Sequence, residues 1–149
     1  MEDCPPEISN STFDLPNITI YPKMPEIVFT EDAIAPLPVF SQATISKGFV
    51  FASGNIGITR EWKLVEGGIK EQTRAALRNL EIVLKAARSS LQHIVKVNIY
   101  ITDFEKFGEM NEAYAEFFDK DKMPARTCVG VASLPFKADV EIECTAELA

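Results

Sequence analysis

Arg126 is the residue whose type and setting most invite chemistry. It sits in Met123-Pro124-Ala125-Arg126-Thr127-Cys128-Val129-Gly130-Val131. Pro124 fixes its own φ and pushes Met123 toward extended geometry, so the chain turns there. Thr127, Val129 and Val131 then alternate with Cys128, Gly130 and Ala132, the period of a strand. Arg126 therefore shares a sheet face with Cys128 and Gly130. A guanidinium at the mouth of a strand offers a planar fork of donors that matches a carboxylate. The same pattern describes an arginine in a surface salt bridge, and spacing alone leaves both readings open.

Other chemistries find few residues to use. His93 is the only histidine, and Cys4, Cys128 and Cys144 are scattered without metal-ligand spacing. A histidine-based metal cluster is therefore not expected. Reduced thiols in a cytoplasmic protein are the simplest account of the cysteines. Lys and Arg number 15 against 22 Asp and Glu, a net charge of −7, which disfavours nucleic acid and anionic membranes as partners. No apolar run approaches a membrane span. The 149 residues are enough for one domain with a real core.

The elements that must carry Arg126 follow in order. Residues 1–24 hold Pro5, Pro6, Pro16 and Pro22 among polar residues, and read as an extended or disordered arm. The arm has four acidic residues and no arginine, against a mitochondrial presequence, and no basic start with an apolar segment, against a secretory signal. Its two glycosylation sequons, at Asn10 and Asn17, are read as chance matches. The domain proper spans 25–149. Ile27-Val28-Phe29 is a short strand, and a proline-stiffened loop runs to Gln42. Ala43 to Ser46 and Phe49 to Ser53 form a hairpin turning at Lys47-Gly48. Gly54 and Gly57 mark either a bulge or a close approach of ligand or chain.

Apolar residues from Ile69 to Ala87 recur at three- and four-residue steps, which predicts a helix. Val95, Val97, Ile99 and Ile101 alternate with polar neighbours as a strand. Phe107 to Phe118 is a second helix whose aromatic stripe reads as core, with Asn111 as an exposed polar residue. Val140, Ile142, Cys144 and Ala146 face one way on the last strand, and Glu141, Glu143 and Thr145 the other. The order is β, β, β, α, β, α, β, β. Two helices then cover one sheet face. The opposite face is expected to bear both Arg126 and Glu141 and to be covered by another subunit.

The chain resembles the RidA family of enamine and imine deaminases, also called YjgF, over about 27–148. The resemblance is carried by Ala35 to Ala43, Ser53-Gly54-Asn55-Ile56, Glu71-Gln72-Thr73, Ala76 to Leu80 and Tyr100 to Asp103. Met110 to Tyr114, Pro124 to Cys128, Leu134-Pro135 and Val140 to Glu143 complete it. It implies an α+β, chorismate-mutase-like domain, a mixed sheet with two helices on one face. It implies a homotrimer with clefts between subunits, and hydrolysis of 2-imino acids such as iminobutyrate and iminopropionate to 2-keto acids and ammonia, with no metal or bound cofactor needed.

The resemblance also implies roles. Arg126 would hold the substrate carboxylate and Glu141 would position or activate water. Ser53, Gly54, Asn111 and Cys128 would line the site, Cys128 without acting as nucleophile, since no residue in the sequence supplies an activating base. Phe40 and Asn55 stand where the family commonly has tyrosine and glutamine, so substrate range or rate is expected to differ. Two other readings stay open: a noncatalytic keto-acid-binding or chaperone-like trimer, and an endoribonuclease or translation inhibitor. One geometric condition follows from the order of strands. If 134–137 were a tight hairpin turn, Arg126 and Glu141 would lie roughly 13 Å apart along the sheet. Either those strands do not pair, or the site closes across a subunit boundary.

Overall fold

A computed structural model describes residues 24–149. The arm expected over 1–24, with its sequons, lies outside the described residues apart from Met24. Alternating apolar residues generate the strands β1 (Glu26–Val28), β2 (Ala43–Ser46), β3 (Phe49–Ile56), β4 (Ile94–Ile101), β5 (Ala125–Gly130) and β6 (Val140–Glu147). They form one six-stranded sheet in the order β1-β2-β3-β6-β4-β5. Only the β4–β5 pair is parallel. The β2–β3 turn is made by Lys47 and Gly48, both at positive φ (50° and 86°), a two-residue geometry that suits the strands' twist.

The long periodic stretch becomes α1 (Gly68–Ala86). It buries Ile69, Ala76, Leu77, Leu80, Val83 and Leu84 against Val50, Val97, Ile99, Ile142 and Ala146 of the sheet. The polar Gln72 is buried with them. Its amide is satisfied by Asp139, whose backbone N–H donates to Gln72 Oε1 at 2.7 Å, while Nε2 donates to Asp139 Oδ2 at 3.3 Å. That clamp fixes the chain two residues before Glu141. Gly57 lets α1 approach closely, since a Cβ there would stand 2.4 Å from Gln72 Cα. The second helix, α2 (Phe107–Ala115), makes the crossover from β4 to the parallel β5 and packs beside α1. It stops three residues before the expected Phe118, which is still buried, its ring 4.7 Å from that of Tyr114.

The element order, mixed sheet and paired helices match the expectation. The shared face for Arg126 and Glu141 does not. Arg126 pairs with Val97 and Glu141 with Tyr100, and residues three apart on β4 point to opposite faces. Arg126 therefore lies on the helix side and Glu141 on the open side. β5 and β6 are not partners, because β4 runs between them, which removes the hairpin geometry. The open face exposes Phe49, Phe51 and Val129.

Candidate functional site

The expected site residues fall into two groups. Arg126, Asn111 and Cys128 gather between β5 and α2. Arg126 Nη1 donates to Asn111 Oδ1 at 2.7 Å. The guanidinium carbon lies 5.0 Å from the ring centre of Tyr114 and 5.7 Å from that of Phe107, within reach of cation–π attraction. Phe107, Asn111 and Tyr114 are spaced i, i+4, i+7, so one face of α2 presents all three. Asn111 is thus more than an exposed polar residue, and the aromatic stripe serves the arginine as well as the core. The spacing was visible in the sequence; its target was not. No carboxylate of the described residues pairs with Arg126, which removes the reading of a surface salt bridge among them. Cys128 packs at the core margin, and burial pushes its thiol up from the usual value despite the nearby Arg126. A protonated thiol fits a lining role.

Phe40, Ser53, Gly54 and Glu141 line a cavity of about 360 Å³ at the far end of β3. It forms around a β-bulge. Ala52 pairs with Cys144 and Asn55 with Ile142, so Ser53 and Gly54 together stand opposite Glu143 alone. The extra residue re-aims the strand and brings Ile56 opposite Glu141. The bulge is held by Ser53 Oγ donating to the Ser41 carbonyl at 2.6 Å and Asn55 Nδ2 donating to the Ser53 carbonyl at 2.9 Å. Asn55 thus braces the bulge from within.

Gly54 gives Glu141 its room. A Cβ at Gly54 would fall 2.0 Å from Glu141 Oε1. Burial, and then the neighbouring Glu143, push the Glu141 carboxyl up from its ordinary range. Glu143 is itself engaged, accepting bonds from Asn98 and Tyr100 at 2.9 Å each. The surroundings of Glu141 thus favour its neutral form more than water does. Trp62, Phe136, Ile34, Leu37 and Gln42 also line the cavity. Sequence reasoning missed them because they come from loops without a period. His93 lies elsewhere, its Nδ1 2.8 Å from Ser90 Oγ.

Within one chain Arg126 and Glu141, each with the residues around it, lie on opposite sheet faces. No group of three or more His, Cys, Asp or Glu among the described residues is arranged to hold a metal. No helix among them is long and apolar enough to cross a membrane.

Comparison with known proteins gives this arrangement a context. A family model described as Endoribonuclease L-PSP matches residues 30–148. A RutC family protein from Pyrococcus horikoshii is 43% identical over 124 residues, 83% of this chain and 98% of that protein. The crystal structure of yeast Mmf1 superposes with a TM-score of 0.81 at 39% identity, covering 85% of this chain and all (100%) of that one. The crystal structure of E. coli TdcF with bound serine gives a TM-score of 0.77 at 31% identity, covering 83% and 99%.

Proposed function

The chain belongs to the endoribonuclease L-PSP family, the YjgF, RutC and RidA group, and from that premise we propose that it hydrolyses reactive 2-imino acids to 2-keto acids and ammonia. The observation that carries the proposal is Arg126. Its guanidinium is held in place by an amide and two aromatic faces, and no described carboxylate neutralises it. A substrate carboxylate is the natural complement of that cation.

The chemistry asks little more. The substrate's iminium carbon is already electrophilic. With its carboxylate on Arg126, water held by Glu141 adds to that carbon and gives its proton to the carboxylate. The same proton then passes to the nitrogen; as the C–N bond breaks and the carbonyl forms, the new hydroxyl gives its own proton to Glu141, which hands it to the departing ammonia. A keto acid and ammonia leave, and no cofactor is consumed. Positioning supplies much of the rate, and a carboxyl whose pKa burial raises above its ordinary value serves as base and then acid. E. coli TdcF, a relative seen with serine, supports a site for a small molecule bearing a carboxylate.

Because Arg126 and Glu141 occupy opposite faces, one copy's arginine must serve the next copy's carboxyl. A closed homotrimer with three clefts satisfies this, using the open face that exposes Phe49, Phe51 and Val129. We take the cytoplasm as the place of reaction, although a yeast relative 44% identical over 107 residues is named mitochondrial. The net charge of −7 works against the RNA cleavage in the family's description. The test is ammonia release from iminobutyrate generated in situ. Arg126→Ala should abolish it while the assembly keeps its mass; an unchanged rate removes the proposal.

A further inference from the structure

We propose that Trp62 and Phe136 form an apolar subsite beside Glu141 that takes the substrate's side chain, so that large branched imino acids are preferred over four-carbon ones. For turnover this rests on the deaminase reading; for binding it rests on the cavity alone.

The lining divides by chemistry. Ser53, Asn55 and Glu141 are polar; Ile34, Leu37, Phe40, Ile58, Trp62 and Phe136 are apolar. The volume of about 360 Å³ falls at the low end of small-molecule pockets, about 300–1,000 Å³, and exceeds the need of a four-carbon acid. Leu37, Phe40 and Phe136 are 50%, 45% and 52% exposed. A small substituent would leave them wet, whereas a branched one would cover them.

The two rings meet from separate loops, with centres 5.8 Å apart and planes 35° from parallel. Each residue holds a left-handed backbone, φ 61° at Trp62 and 57° at Phe136. That region is strained for aromatic residues, and such strain persists where the surroundings over-determine it. Here they do. The Trp62 N–H donates to the Thr59 carbonyl at 3.0 Å, the Thr59 N–H to the Lys63 carbonyl at 2.8 Å, and Ile58 bridges Leu64. Trp62 also packs on the small cluster of Ile56, Ile58 and Ala138. The wall is built before any ligand arrives.

Orientation follows from the reaction. With the carboxylate on a neighbouring copy's arginine and the C=N bond at Glu141, the substituent on the imine carbon is the part left to meet the wall.

Trp62 is the sole tryptophan, so its emission reports on the subsite directly. The full chain is titrated with the leucine-derived keto acid and with 2-oxobutyrate. The larger acid should change the emission at a concentration about tenfold lower, the scale of discrimination an apolar pocket gives. Phe136→Gly, which relaxes the backbone as it removes the ring, should erase the preference. An unresponsive emission, or equal saturation by both acids, overturns the subsite. Ammonia release from the two corresponding imines is read in parallel, with Trp62→Gly lowering kcat/KM about tenfold only for the larger. A binding preference without ammonia from either imine defeats the deaminase reading and leaves the subsite standing. Equal ammonia from both imines with unresponsive emission does the reverse.

Discussion

Glu141 faces two opposed demands. Burial and Glu143 raise its pKa in the folded chain above the unfolded value. Its favourable contribution to stability is therefore present in acid and lost as pH rises through the folded pKa. Glu141→Gln cannot ionise, so it should melt higher than wild type near neutral pH and lose that advantage in acid. The same variant should lose about 10²- to 10⁴-fold in rate, the usual worth of a positioned acid–base group. Wild-type activity should fall on acidification at a pH above the ordinary glutamate range, because a protonated Glu141 cannot take the water's proton. Thermal melts and a pH–rate profile check both signs. Gly54 offers a gentler probe. A methyl there collides with Glu141 Oε1, the far end of a flexible side chain, which can swing away. Gly54→Ala should keep its melting temperature and lose about 10²-fold in kcat, the scale of a small misplacement.

The elements translate those residues into positions. The bulge at Ser53 and Gly54 and the clamp between Gln72 and Asp139 hold the cavity side. One face of α2 holds the arginine side through Phe107, Asn111 and Tyr114. Gly57 sets the distance between β3 and α1, and there the obstacle is helix backbone, 2.4 Å from a new Cβ. Backbone cannot swing away as Glu141 can. Gly57→Ala should cost about 1–3 kcal/mol, the range for overpacking, read as a lower urea midpoint with unchanged slope. The contrast between these two glycine variants separates a catalytic close approach from a structural one.

For the whole molecule, the division of the site between faces makes a prediction no single chain can show. Arg126→Ala and Glu141→Gln subunits, each inactive alone, should regain activity when refolded together at equal amounts. Random assembly into a closed ring gives about one cleft in four an intact arginine from one copy and an intact carboxyl from the next. Recovery toward that fraction, measured by ammonia release, supports a shared cleft; no recovery places both residues' work within one chain and defeats the trimer proposal.

The local patterns were legible in the sequence. The long stripe from Ile69 to Ala87, the alternations around Val97 and Ile142, and the Lys47-Gly48 turn reveal themselves because helix and strand periods are short-range properties. The candidate site residues were proposed from the motifs around Arg126, Glu141, Ser53 and Asn111. What the sequence by itself determined was thus the family, the elements and which candidate residues each element carries. Only the tertiary structure decided how they meet. Sheet order put β4 between β5 and β6, and this parity set Arg126 and Glu141 on opposite faces. The bulge re-aimed β3, and two aperiodic loops brought Trp62 against Phe136. These outcomes depend on pairings between distant segments, whose register is chosen by the packing of the whole core and leaves no local trace in the chain.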